Sequence, residues 1–273
     1  MGRAVKRKFL ICISLLNRSV VNKPPSNSPR FTPANSNTRI NIGGGPARPR
    51  SKLPPAPENL GLNSERLRQA LITRLREQGI SNEAVLNAMR AVPRHKFVDE
   101  GLASRSYDDV ALPIGYSQTI SQPWVVARML SVVCENKRLQ RVLEVGAGCG
   151  YQAAVLAHLV PEVYAIERVR GLYEQAIKNL RAADLLDKVN LVYGDGMEGL
   201  KAKAPFDAIV VAAAAAQIPQ ALLNQLAVGG RLVAPEGTSS QLLVLIERKS
   251  ASRWQRHELE AVRFVPLISG TQL

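Results

Sequence analysis

The chain has 273 residues and a formal net charge of +14, long enough for one globular domain with a tail and for a core that needs no covalent staples. A hydrophobic fraction of 46% excludes wholesale disorder, and no apolar run approaches the roughly 18 residues that cross a bilayer. The charge suggests nucleic acid at first sight, but residues 1–60 hold 11 Lys and Arg against one acidic residue and leave only +4 for the remainder.

Residues 1–60 also hold nine of the 17 prolines and the run Gly43-Gly44-Gly45. Such a stretch buries too little apolar surface to offset the entropy of ordering it, so a disordered, basic, Pro-rich extension is expected there. Arg3, Lys6, Arg7 and Lys8 precede an apolar patch over 9–16, as in an export signal, but Asn17-Arg18-Ser19 offers no small-x-small cleavage site. Lys6 stands where a myristoylation motif needs Ser or Thr. The expectation is a solvated tail. Three cysteines, Cys12, Cys134 and Cys149, with no CxxC pair, suit neither a disulfide framework nor a cysteine zinc site. A reducing, cytoplasmic location is expected.

The chain turns helical from Asn63. Leu67, Ala70, Leu71, Arg74 and Leu75 recur at helical spacing, with Asn63 or Ser64 as cap and Gly79 as stop. Ser81-Asn82-Glu83 starts a second helix carrying Val85, Leu86, Ala88 and Met89, ending before Pro93. Residues 107–123, dense in Gly, Pro, Ser and Thr, read as a loop, and 124–134 as a helix. Strands then follow at 141–145, 162–166, 189–193, 206–211 and 231–234, with helices at 152–159, 171–183 and 220–226, and a closing hairpin at 241–248 and 254–264. Crossovers of a dozen or more residues imply parallel pairing and right-handed connections. The expected fold class is α/β: a doubly wound, mainly parallel sheet with a small N-terminal helical subdomain and C-terminal antiparallel strands. The expected domain, 61–273, comprises a helical and substrate-loop part (61–135), a cofactor-binding core (136–235) and the closing strands (236–273).

The sharpest motif is Val142-Leu143-Glu144-Val145-Gly146-Ala147-Gly148-Cys149-Gly150-Tyr151, which follows a strand and opens a helix. Glycines there let a ligand approach the backbone, at the strand ends where open parallel sheets bind ligands. The spacing is GxGxG, not the GxGxxG of dinucleotide sites, and Tyr151 fills the third-glycine position. The next strand ends in Ile166-Glu167, whose carboxylate can accept from a ribose diol. The third ends in Gly194-Asp195-Gly196, an acceptor for an adenine amino group. The three together suit a nucleoside ligand without pyrophosphate.

At these residues the sequence resembles the Rossmann-like S-adenosylmethionine-dependent methyltransferases, and within them the protein-L-isoaspartate (D-aspartate) O-methyltransferase family. The resemblance rests on Pro93-Arg94-His95-Lys96-Phe97-Val98, Gly115-Tyr116-Ser117-Gln118-Thr119-Ile120-Ser121-Gln122-Pro123, the glycine motif, Val163-Tyr164-Ala165-Ile166-Glu167, Gly194-Asp195-Gly196, Phe206-Asp207-Ala208-Ile209-Val210-Val211, Gly229-Gly230-Arg231-Leu232-Val233 and Phe264-Val265-Pro266-Leu267. It spans about residues 62–270 and none of the extension. It implies S-adenosylmethionine as cofactor and methyl transfer to the free α-carboxyl of L-isoaspartyl and D-aspartyl residues in damaged proteins, the ester then collapsing to a succinimide. It implies Ser121 as the catalytic position. Thr119, Ile120, Glu144, Gly146, Ala147, Gly148, Glu167, Asp195 and Gly196 become cofactor contacts, with 146–148 on the methionine part, Glu167 on the ribose, and Asp195 and Gly196 on the adenine. No metal is implied. Isoaspartyl proteins and peptides are the expected partners, with no specific nucleic acid and no membrane, and the chain is expected to be a monomer.

A carboxylate is ionised at neutral pH and a sulfonium is a good leaving group, so no general base is needed. The protein must align the reactants and exclude water. Other readings of the same residues stay open: Ser121 as a loop serine capping the following helix, Asp195-Gly196 as a type I′ turn, Glu167 as a solvated strand end. His95, His158 and His257 are too dispersed for a metal cluster, and Trp124 and Trp254 read as packing residues. Three positions depart from the family pattern: Ser117 where glycine is expected, the run Ala212–Ala216 in place of Thr-Ala-Ala-Pro, and Cys149 for Ser or Thr. The rivals are a nucleotide-dependent oxidoreductase, opposed by Tyr151; a nucleic-acid methyltransferase, lacking Asn/Asp-Pro-Pro-Tyr and Pro-Cys motifs; and a non-catalytic binding protein of the same fold.

Overall fold

Glycine and asparagine set the first boundaries. In the structure, a computed structural model that describes residues 65–273, helix α1 (Glu65–Glu77) buries Leu71, Ile72 and Leu75 and is followed by Gly79 at φ +96°. The Asn82 side chain accepts from the Val85 N–H and so caps helix α2 (Glu83–Ala91). Val92 then turns extended, as a residue before proline must. The expected extension over 1–60, Cys12 and the Asn63 or Ser64 cap lie outside the described residues.

Two 3₁₀ turns, Arg94–Phe97 and Glu100–Arg105, lead into the stretch read as a loop. That reading is corrected: it holds an antiparallel hairpin, β1 (Leu112–Gly115) and β2 (Gln118–Ile120). Tyr116 and Ser117 turn it with φ +52° and +57°, the double left-handed geometry that normally calls for Asn-Gly. Helix α3 (Pro123–Cys134) starts on a proline.

The sheet follows in chain order: β3 (Arg141–Val145), α4 (Tyr151–Leu156), β4 (Glu162–Glu167), α5 (Arg170–Ala182), β5 (Val189–Tyr193), β6 (Phe206–Val211), α6 (Gln220–Asn224), β7 (Leu226–Gly237), β8 (Gln241–Ser250) and β9 (Arg253–Val262). The spatial order is β5-β4-β3-β6-β7-β8-β9, parallel through β7 and antiparallel beyond it. This is the expected doubly wound sheet, with its topological switch beside β3. β7 is 12 residues long, where four were expected, because it runs through Gly229-Gly230 with a register irregularity against β6 and pairs along Arg231–Gly237 with β8.

Period-two alternation divides the strands between two cores. Val142, Ala208 and Val210 enter the core under α3, α4 and α5, whereas Leu143, Val145, Ile209 and Val211 enter the other with Leu222 of α6. Glu144 shares the face of Val142, a fully buried position that the pattern reserves for an apolar side chain. Among the described residues no helix is long and apolar enough to cross a membrane.

Candidate active site

A cleft opens at the carboxyl ends of β3, β4 and β6, beside the switch point. Nine of the ten expected site residues line it: Thr119, Ile120, Ser121, Glu144, Gly146, Ala147, Gly148, Glu167 and Gly196. The tenth, Asp195, is outside the lining. Its Oδ1 accepts from Met197 N–H at 2.8 Å and its Oδ2 from Gly270 N–H at 2.6 Å, so it ties the C-terminal segment down.

The glycine loop is shaped by its own hydrogen bonds. Gly146, Gly148 and Gly150 all have positive φ, and a Cβ on Gly150 would press on Ala176 and Leu180 of α5 at 3.3 Å. The Gly146 and Ala147 N–H groups donate to Ile166 O, and Gly150 N–H to Ala147 O. Gly148 N–H donates to Glu167 Oε2 at 2.8 Å. A pyrophosphate cradle needs such amides free. Here a carboxylate already holds one and carbonyls hold the others, which argues against a dinucleotide on physical grounds.

Glu167 ends β4 but is only 4% exposed, so it is not a solvated strand end. Its Oε1 accepts from Val169 N–H at 2.8 Å, and the two backbone bonds hold both oxygens at the cleft wall with lone pairs to spare for a diol. Glu144 is 1% exposed. Its Oε1 accepts from Gln152 at 3.1 Å, while Oε2 has no partner among the described residues. Burial pushes this carboxyl well above the usual range, and the Glu167 charge adds to the push. Gly196 has no positive φ, so the type I′ turn is corrected to an Asx turn at Asp195. Glycine is needed there because a Cβ would stand 2.6 Å from Val145 Cγ1.

Ser121 follows β2. Its hydroxyl makes no hydrogen bond among the described residues, and it does not cap α3. The cap position is Gln122, and Asp109 serves the helix start by accepting from Trp124 N–H at 2.9 Å. Arg94 donates to Ser121 O at 2.8 Å.

Sequence reasoning overlooked two walls. Ile114 and Gln118 bring the β1–β2 hairpin over the cleft, and Val265, Pro266, Leu267 and Ile268 close it from the C-terminal side. The latter segment is fastened by Ala214 to Val265 and Leu267, by Arg170 N–H to Gln272 O, and by Arg168 to Gly270 O. The Phe-Val-Pro-Leu motif was a signal for it; the hairpin had none, since Tyr-Ser is a poor turn dipeptide. The alanine run is buried from Ala213 to Ala215 and supplies backbone: a Cβ on Gly146 would come within 3.8 Å of Ala212, and the Gly237 N–H donates to Ala215 O. Cys149 is buried and its thiol is pushed up to about 11 by that burial, leaving it unreactive at neutral pH.

The donor set fits S-adenosylmethionine. The unpartnered Glu144 Oε2 suits an ammonium, the anchored Glu167 carboxylate suits a ribose, and the positive-φ glycines leave room for a thioether chain.

Residues 65–272 match the profile of the family described as Protein-L-isoaspartate(D-aspartate) O-methyltransferase (PCMT). A Bordetella parapertussis protein named Protein-L-isoaspartate O-methyltransferase is 67% identical over 245 residues, 90% of this chain and 95% of that protein. Such coverage reaches into the segment before Glu65, so the likeness extends into part of the expected extension. A Burkholderia ambifaria protein of the same name is 55% identical over 77% of this chain and 68% of its own length. A solved Plasmodium falciparum chain, given as a beta-aspartate methyltransferase (PCMT) in complex with S-adenosyl-L-homocysteine, is 27% identical with a TM-score of 0.66, covering 74% of this chain and 98% of that one. A solved protein-L-isoaspartate O-methyltransferase is 28% identical with a TM-score of 0.68, over 75% and 67% of the two chains. With its fold, its cleft and a profile match over most of its length in agreement, the chain belongs to the protein-L-isoaspartate(D-aspartate) O-methyltransferase family.

Proposed function

We propose that Ser121 orients the substrate carboxylate in the reaction of this family, methyl transfer from S-adenosylmethionine to the free α-carboxyl of L-isoaspartyl residues in proteins. The bound cofactor supplies an electrophilic methyl group on a sulfonium. Glu167 holds the ribose hydroxyls, Glu144 pairs with the ammonium, and Gly146, Ala147 and Gly148 border the thioether. Thr119, Ile120 and Gly196 complete the enclosure. Asp195 acts by holding the segment that closes the adenine side. The Ser121 hydroxyl donates to one carboxylate oxygen and turns the other toward the methyl group. The hairpin and the C-terminal segment keep water from the nucleophile, and orientation of this kind lowers a barrier by roughly 7–11 kcal/mol in favourable cases.

The observation that carries this role is a hydroxyl at the cleft with no partner among the described residues, on a segment whose main chain is held on both sides. The experiment is labelled methyl transfer to an isoaspartyl peptide, with the aspartyl peptide as control. Ser121→Ala should lower kcat/KM by one to two decades, the worth of a hydrogen bond to a charged group, about 1.5–3 kcal/mol, and leave S-adenosylhomocysteine affinity unchanged. Full activity in that variant removes Ser121 from the mechanism.

The same reading takes the chain as a cytoplasmic monomer acting on flexible protein segments, without nucleic acid or membrane. The modest +4 of residues 61–273 supports the part of this reading that concerns nucleic acid. The 61–273 domain boundary draws support from the profile start at residue 65. Deletion of residues 1–60 should therefore leave methyl transfer intact.

A further inference from the structure

Among the described residues the least explained polar group is Arg94. It is fully buried and no carboxylate of those residues bonds it. A buried unpaired cation is costly, and burial lowers its pKa. Its Nε donates to Ser106 O at 2.9 Å and its Nη2 to Ser121 O at 2.8 Å. Its guanidinium carbon lies 4.8 Å from the centroid of the Tyr151 ring, which packs edge-on against Phe97 at 5.6 Å. Arg94 Nη1 and Tyr151 Oη are both buried without a partner among the described residues.

This arrangement explains Tyr151. A third fingerprint glycine would give close packing alone, whereas the tyrosine gives the first residue of α4 a face for a cation. The planar fork of arginine fixes two acceptors relative to its own plane, and that plane rests on the helix leaving the glycine loop. The carbonyl of Ser121 is thereby referred to the loop that borders the methyl donor. Asp109 fixes the other side of the same segment through Trp124 N–H and Gln122 Nε2. An arginine buried only to fill space would not spend its donors on the carbonyl of the one residue that must be aimed.

We propose that Arg94 is a positioning residue for methyl transfer: through the Ser121 carbonyl and the Tyr151 ring it sets the Ser121 hydroxyl relative to the cofactor loop. The proposal rests on the role given to Ser121, and a double-mutant cycle separates the two. Arg94→Met, close in length and free of buried charge, is the main variant, and Arg94→Lys the conservative one. Each full-length protein is titrated with S-adenosylhomocysteine by calorimetry to count competent sites, then assayed on the isoaspartyl peptide. A small displacement of a reacting group can cost on the order of a hundredfold, so kcat per competent site should fall by about 10–100-fold in Arg94→Met, with the S-adenosylhomocysteine Kd and peptide KM changed by less than about threefold. Arg94→Lys, which can still donate to one carbonyl, should recover part of kcat. In a Ser121→Ala background the Arg94→Met effect should shrink to less than about threefold, since residues acting through one another are not additive.

An unchanged kcat per competent site in Arg94→Met overturns the proposal and leaves the Ser121 reading standing. An equal loss in both backgrounds overturns it as well. So does the absence of competent sites in both Arg94 variants, which makes the residue a folding element. Full activity of Ser121→Ala alone refutes the reading on which the proposal rests.

Discussion

The hairpin over the cleft is held at its tip by a contact that only glycine permits. The Tyr116 ring lies across Gly171 in the first turn of α5, and a methyl group on Gly171 would overlap the tyrosine hydroxyl and Cζ. Gly171→Ala must therefore push the ring aside. The obstructing atoms are the far end of a flexible side chain, so the fold itself is spared, and alanine favours the helix by up to about 1 kcal/mol. Tyr116 is 54% exposed, so roughly half of the ~200 Å² of a tyrosine is covered, which at about 25 cal/mol per Å² is about 2.5 kcal/mol. Losing a little over half of that contact weakens the closed hairpin by about 1.4 kcal/mol, and ligand affinity falls with the closed population by at most about tenfold. Two assays should then move apart. Thermal unfolding of Gly171→Ala should stay within a few degrees of the parent, because the helix gain offsets most of the lost contact, while S-adenosylhomocysteine binds several-fold more weakly by calorimetry. Tyr116→Ala should weaken binding similarly, and the double variant should add little. Parent-like affinity in Gly171→Ala, or full additivity with Tyr116→Ala, would refute the latch.

Ser117 sits at φ +57°, where a non-glycine residue is strained by about 1–2 kcal/mol. Glycine removes that strain but loses about 0.5–1 kcal/mol to its freer unfolded chain. Ser117→Gly should therefore raise the melting temperature by no more than a few degrees, and Ser117→Val should lower it; equal melting of the two would mean the turn is not left-handed in solution. Burial raises the pKa of Glu144 well above the ordinary carboxyl value in the free protein. The unfolded chain ionises this group first, so the free protein loses stability as pH rises from the ordinary carboxyl value toward the folded one. Glu144→Gln should flatten that slope. A bound ammonium would favour the ionised form of Glu144, so binding should release protons at pH values between the ordinary carboxyl pKa and the raised one, measurable by calorimetry in buffers of different ionisation enthalpy. No release from the parent protein, or the same release from Glu144→Gln, would break the pairing.

What the sequence made legible is what local pattern encodes. Strands β3 to β6 and the helices between them announce themselves by apolar runs, caps and breakers, and the GxGxG loop with Glu167 at the next strand end needs only spacing. The misses share a physical cause, which is that the deciding partner lies far along the chain. Asp195 reads as a base contact from local pattern, and nothing near it reveals that Gly270, 75 residues on, also supplies a donor to its carboxylate. The hairpin stayed hidden because its turn is stabilised by what Tyr116 touches on α5 and not by turn propensity. Tyr151 is the most instructive case. Read locally, it only obstructs a dinucleotide, an argument from exclusion. Its positive use appears when Arg94, distant in sequence, is laid on its face and reaches Ser121. The methyl transfer itself asks for no base and no metal, so the residues that make this site an enzyme are those that fix positions. Such residues act through backbone carbonyls and ring faces, which leave no motif of their own.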